Sequence, residues 1–264
     1  MTRIAAQINT VRAFCQNQTD FLDTLSRLRD MGFAGVELEF SLLKNADREA
    51  VAKHLQKTGL QVASIRSPFA RTGFGLEDMI DQAKTLDCRN VGIGTMTVSD
   101  FNQGPAGMDR YFGKVEEVSR RFAQEGLRPL YSLRNHEFMR QKDGLWIYDK
   151  LLSRPEASAL QFETDLLCLT RAAVEPHRIF RQLAGRMPVC RITDQKIREN
   201  EMYFFFPERE ECPLGEGLFD LDLWCASAMD SGAEWFVVGQ DLCDRDPFAC
   251  LQISLDWAGN LVRK

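Results

Sequence analysis

Two spacings of apolar residues alternate along the whole chain. Short apolar or period-two runs occur at Ile4–Ile8, Gly35–Phe40, Gln61–Ile65, Asn90–Gly94, Leu130–Leu133, Leu160–Thr164, Val189–Ile192 and Trp235–Val238, and they predict strands. Between them apolar residues return every three or four positions, the helical spacing. In the first such stretch Phe21, Leu22, Leu25 and Leu28 share a face, with Thr19 the expected N-cap and Gly32 the stop. Further helices are predicted over Ala46–Thr58, Leu76–Leu86, Met108–Gln124, Trp146–Leu152, Pro176–Ala184, Leu221–Ser231 and Pro247–Leu261. Strand followed by helix, eight times over, predicts parallel strands closed into a single (β/α)8 TIM barrel across residues 1–264. A doubly wound sheet usually has fewer strands and a Gly-rich turn after the first; here that turn reads Asn9-Thr-Val-Arg-Ala-Phe14. One connection, Thr193–Asp220, is too long for a plain link and is expected to build or cover a site. Its Tyr203-Phe-Phe-Phe206 run is expected to fold over the barrel mouth or to pack on a second subunit, since it would otherwise expose a large apolar patch.

Composition narrows the class. A net charge of −5 without a basic run gives no footprint for nucleic acid. The opening residues lack the apolar core of a signal peptide and no run is long enough to cross a bilayer, so a cytoplasmic location without membrane contact is expected. Eight cysteines are scattered with no C-x-x-C pair, and only three histidines could help them hold zinc. They are read as reduced, small apolar residues.

Several stretches resemble the xylose isomerase-like sugar phosphate isomerase/epimerase family. Gln7-Ile-Asn-Thr-Val-Arg12 is similar to its Q-L-Y-T-V-R opening, and Met31-Gly-Phe-Ala-Gly-Val-Glu-Leu38 to its junction between the first helix and the second strand. Phe162-Glu-Thr-Asp165 followed by Ala172-Ala-Val-Glu-Pro176 resembles its E-x-D…A-G-x-D-P segment, and Gly185-Arg-Met-Pro188…Asp194 its G-R-x-P…H-x-K-D region. Leu214-Gly-Glu-Gly217 and Trp235-Phe-Val-Val-Gly-Gln-Asp241 resemble the late G-E-G and W-x-I-V-E-Q-D motifs. The resemblance implies a site at the C-terminal rim of the barrel. There family members commonly hold one divalent metal that binds sugar oxygens and stabilises an enediolate, while carboxylates move the proton.

The ligand positions carried over from the family are largely changed. Asp165 survives on the sixth strand, but the fifth-strand ligand falls on Ser132, or on Arg134 if the Asn-His pairs are aligned. The seventh-strand histidine is Arg191 and the eighth-strand glutamate is Gly239; the usual T-H end of the third strand reads Ile65-Arg66. One carboxylate beside a fixed guanidinium is a poor cation site, so the family metal is expected to be absent. The remaining candidates are Glu37, Glu163 and Asp165 for acid–base work, with Arg66, Arg134, Arg191, His136, Glu216 and Gln240 as ligand-binding groups. For the carboxylates, internal pairing with the arginines is the competing reading; for Glu216 it is a structural role in its Gly-flanked turn. His54 and His177 are expected on the surface of helices.

Two functions stay open. One is an isomerase/epimerase-like enzyme for a small, anionic carbohydrate such as a sugar phosphate or sugar acid. The other is a catalytically inactive homologue that binds a carbohydrate-like ligand or a protein partner. A homo-oligomer is compatible with both. DNA-repair endonucleases of this barrel type need a histidine-rich multi-metal site, which three histidines do not supply.

Overall fold

The structure is a computed structural model that describes residues 1–67, 75–154, 160–198 and 208–263. Eight parallel strands form a closed barrel: β1 (Arg3–Gln7), β2 (Gly35–Glu39), β3 (Gln61–Arg66), β4 (Asn90–Gly92), β5 (Arg128–Ser132), β6 (Gln161–Asp165), β7 (Val189–Ile192) and β10 (Trp235–Val238), with β10 returning to pair with β1. The other two strands, β8 (Asp194–Ile197) and β9 (Arg209–Cys212), make a separate antiparallel hairpin. Around the barrel run α1 (Gln18–Met31), α2 (Phe40–Leu43), α3 (Arg48–Thr58), α4 (Leu76–Thr85), α5 (Val98–Asn102), α6 (Gly104–Gln124), α7 (Ile147–Leu152), α8 (Leu166–Arg171), α9 (Pro176–Gln182), α10 (Leu221–Asp230) and α11 (Pro247–Val262).

The strand period of two sorts the side chains. Val36, Leu38, Ile65, Val91, Tyr131, Phe162, Ile192 and Phe236 join the large core shared with the helices. Ala5, Ala63, Leu130, Val189, Trp235 and Val237 form a second, smaller apolar cluster. Gly35 is required beside it, because a Cβ there would stand 2.7 Å from the Trp235 ring. Trp235 is covered in turn by the Arg3 guanidinium, 3.8 Å from the ring centroid. The N-terminal end of the barrel is thus packed with apolar and stacked groups, and polar side chains collect at the other end.

The elements depart from the sequence expectations where caps and long-range contacts decide. Helix α1 starts at Gln18 because Asn17, not Thr19, accepts the Asp20 N–H at 3.0 Å; Gly32 closes it in the left-handed conformation, as expected. Helix α6 begins four residues before Met108, with a proline in its first turn, and α5 precedes it. His54 and His177 are half-buried rather than on the surface: His54 meets Ser26 at 2.9 Å and His177 meets Ser227 at 2.7 Å. The eight cysteines are free thiols, six of them buried. Among the described residues no helix is long and apolar enough to cross a membrane.

The long connection after β7 contains the β8–β9 hairpin, paired from Asp194↔Cys212 to Ile197↔Arg209. Its strands are too polar to show an apolar alternation, so it reads as a loop. The hairpin is tied to the following turn through one buried carboxylate. Asp194 accepts N–H groups from Gln195 (2.8 Å), Gly215 (3.1 Å), Gly217 (3.1 Å) and Phe219 (3.2 Å). A Cβ at Gly217 would collide with the Asp194 carboxylate, which explains the glycine there. The Tyr203–Phe206 run lies outside the described residues.

Candidate active site at the barrel mouth

At their C-terminal ends the strands turn charged groups inward. Glu37 and Glu39 come from β2, Arg66 from β3, Glu163 and Asp165 from β6, and Arg191 from β7. Register makes Asp165 the direct neighbour of Arg191, and Arg191 Nη1 donates to Asp165 Oδ2 at 3.0 Å. Arg191 Nε also stands 3.7 Å from Glu37. Arg66 lies 3.3 Å from Glu39 and 3.9 Å from both Glu37 and Glu163. Serines complete the shell: Ser64 donates to Glu37 and Ser132 to Glu163, each at 2.9 Å. Asp165 Oδ1 caps α8 by accepting the Leu167 N–H at 2.9 Å.

This cluster is buried, which makes its electrostatics strong. Glu37 is 0% exposed and Arg191 7%. Burial, then the charge of Glu163, pushes the Glu37 carboxyl up to about 8 despite Arg66 and Arg191. Burial also raises Glu39, with Arg66 opposing it. Asp165 goes the other way: burial would raise it, but Arg191, Arg134 and Arg66 together hold it below the ordinary carboxylate value. Four carboxyls therefore face three guanidiniums, and a proton kept on Glu37 near neutrality balances the charge.

Arg134 approaches from a turn just past β5. Its guanidinium donates to Cys168 Sγ at 3.7 Å and lies 3.8 Å from Asp165. The turn is built on Glu137, which is fully buried. Glu137 accepts from Tyr131 OH (2.8 Å), Thr95 Oγ1 (3.0 Å) and the Arg134 N–H (2.8 Å), and His136 Nε2 stands 2.9 Å from it. His136 is thereby held at the edge of the mouth, half-buried.

Two of the expected ligand-binding groups behave differently from the rest. Glu216 is engaged by Arg245 at 2.8 and 3.2 Å and does not join the cluster. Gln240 is buried just beyond β10; its N–H donates to Thr10 Oγ1 at 2.9 Å. Gly239 beside it is hemmed in: a Cβ there would stand 2.5 Å from Gln7 Cβ and 2.8 Å from Thr10 Oγ1, and would collide with Gln7 Oε1. Gln7, the first residue of the opening motif, thus fills the space at the end of the eighth barrel strand. Its amide is buried without a partner among the described residues.

These donors do not fit a divalent cation. Arg191 occupies the outer oxygen of Asp165, and a fixed guanidinium repels a metal. No carboxylate can stand at 239 while Gln7 keeps its place. Among the described residues no three His, Cys, Asp or Glu side chains are grouped to hold a metal ion.

No family model and no curated protein sequence matches the chain. Solved structures match it over nearly its full length. A sugar phosphate isomerase/epimerase from Parabacteroides distasonis superposes with a TM-score of 0.73 at 16% identity, covering 97% of both chains. A xylose isomerase-like TIM barrel protein from Mycobacterium smegmatis, in complex with magnesium, gives 0.70 at 14%, covering 99% of this chain and 97% of that one. The chain shares the (β/α)8 barrel fold of these structures. An AP endonuclease, family 2, from Brucella melitensis shares the fold at 0.68 and 17%, covering 98% of this chain and 99% of that one. A fold that hosts such different activities does not choose between them, so the choice rests on the mouth.

Proposed function

We propose that this barrel is a sugar isomerase/epimerase-like protein for a small anionic carbohydrate, and that it works without the divalent metal usual for the fold. The observation that carries the reading is Arg134. It sits at the mouth with 27% of its side chain exposed, and its hydrogen bond goes to a thiol rather than to a carboxylate. A guanidinium placed this way offers a fork to a carboxylate or phosphate, and such charge-assisted bonds are the stronger kind. Arg66, held at 3.3 Å or more from its carboxylates, is the second such group.

The proton chemistry follows from the opposite shifts inside the cluster. Glu37 keeps a proton near neutrality and Asp165 does not. Two carboxyls pushed apart in this way suit an acid and a base on either side of a carbon next to a carbonyl. The guanidiniums of Arg191 and Arg134, both beside Asp165, would supply positive charge to a developing oxyanion. Glu163, bound to Ser132, completes the acid–base set, and His136 and Gln240 are the further ligand-binding groups of this reading. Glu216 has no part in this reading.

A second reading has its own support. Arg191, Asp165, Glu37 and Glu163 are buried and mutually paired, as an internal plug in a catalytically inactive binding protein would be. Calorimetry and thermal shift with sugar acids and sugar phosphates, against neutral sugars at matched ionic strength, separate the two. The proposal expects anions to stabilise the wild type and not Arg134→Ala, with deuterium from solvent entering the bound sugar in wild type and not in Glu37→Gln. No stabilisation beyond matched salt means a plug; stabilisation without deuterium entry means a binder. Binding and exchange should survive a chelator unchanged, and recovery on adding Mn²⁺ or Mg²⁺ would sink the metal-free part.

A further inference from the structure

A cavity of about 570 Å³ opens at the same end of the barrel, between the segments that leave β1 and β2. Arg12 and Gln18 line it from the first segment, Ser41 and Asn45 from the second, and Phe21 and Leu42 give it an apolar side. The segments that line it are tied to the charged cluster at Glu39. Asn9, three residues before Arg12, donates to Glu39 at 2.9 Å, and Arg66 approaches the same carboxylate. Glu39 in turn directly precedes α2, which carries Ser41 and Leu42.

The lining has a definite chemistry. Among the described residues no acidic side chain faces the cavity, and Ser41 and Asn45 have no hydrogen-bond partner. Gln18 accepts the Asp47 N–H at 3.0 Å through its amide oxygen, while its Nε2 is buried without a partner. Amides and hydroxyls that both donate and accept, with the Arg12 guanidinium as a further donor and an apolar wall beside them, match a ring of hydroxyls with a C–H face. The volume is within the range of about 300–1,000 Å³ typical of small-molecule sites.

We infer that this cavity is a subsite for a neutral sugar unit, so that the ligand is a two-unit carbohydrate whose acidic end lies at Arg66 and Arg134. The second clause rests on the anion reading of the mouth; the first stands on the cavity. Saturation-transfer NMR on the full chain tests both, with maltose, cellobiose, lactose and trehalose as neutral probes. Glucuronate and an aldobiuronic acid (a hexuronate joined to a neutral hexose) are the charged probes. At least one neutral disaccharide should receive transfer, and the aldobiuronic acid should bind about tenfold tighter than glucuronate or better. Asn45→Trp, which fills the cavity from an exposed position, should erase both effects and leave glucuronate binding unchanged. No transfer to any neutral disaccharide, or transfer that survives in both Asn45→Trp and Ser41→Leu, overturns the subsite. Absent glucuronate binding with disaccharide transfer intact overturns the anion reading instead, and with it the two-unit ligand.

Discussion

Replacing Glu37 by glutamine should make the barrel more stable in alkaline solution than in acid, relative to the wild type. Ser64 supplies one hydrogen bond to the Glu37 carboxyl, at 2.9 Å. The nearest guanidinium nitrogens, at 3.7 and 3.9 Å, are beyond hydrogen-bond reach, because Arg191 is drawn to Asp165 and Arg66 to Glu39. With complete burial and Glu163 nearby, the carboxyl titrates at about 8 against an ordinary 4.5. The folded protein therefore keeps a proton that the unfolded chain releases. Stability contributed by this group falls as pH rises from the unfolded value to the folded one, and levels off above it. Over the two units from pH 6 to about 8, at 1.36 kcal/mol per unit, the loss is about 3 kcal/mol. Glutamine has no such slope. Urea unfolding of both proteins at pH 6, 7, 8 and 9 should show Glu37→Gln gaining about 3 kcal/mol on the wild type across the series, other titrations cancelling in the difference. A gap that stays constant, or narrows toward pH 9, would mean that Glu37 is ionised at neutrality and that the charge balance drawn above is wrong.

Arg191→Met should cost about 3–5 kcal/mol at pH 8, by leaving Asp165 buried with Arg134 at 3.8 Å as its nearest cation. The cost should shrink at pH 5, because Asp165 without Arg191 takes up a proton more readily; urea midpoints at the two values check it. Gly239→Ala should cost about 1–3 kcal/mol by overpacking against Gln7, and adding Gln7→Ser should recover most of it, a coupling that a double-mutant cycle reads directly. Asp194→Ala should cost about 3 kcal/mol or more by stranding the N–H groups of Gly215, Gly217 and Phe219, with their amide hydrogen exchange accelerated. Unchanged exchange there would show that the turn does not depend on this carboxylate.

The barrel was legible because each of its eight strands announces itself by a local apolar run and eight of its helices by their own spacing; the short helices α2, α5 and α8 give no such signal. The mouth was legible for a related reason: counting by two along β2 and β6 places Glu37 beside Glu39 and Glu163 beside Asp165 before any contact is known. What stayed hidden depends on partners distant in the chain. Nothing local marks Glu137 as the anchor of the Arg134 turn, since its partners include Thr95, forty-two residues away. Nothing local shows that the glycines at 215 and 217 donate to Asp194, or that Glu216 between them pairs with Arg245. The hairpin of β8 and β9 was invisible because its strands are held by backbone pairing and charge, not by an apolar face.

The packing of Gln7 against Gly239 also bears on how such a mouth can change over time. A carboxylate placed at 239 meets the Gln7 side chain, and shortening Gln7 alone leaves an unfilled hole beside a glycine. Each single step is unfavourable, although the pair together could be accommodated. Two positions 232 residues apart thus act as a ratchet, and the order in which they mutate decides which chemistries the barrel can reach. Drift or laboratory evolution that proceeds one substitution at a time should therefore seldom place a carboxylate at 239.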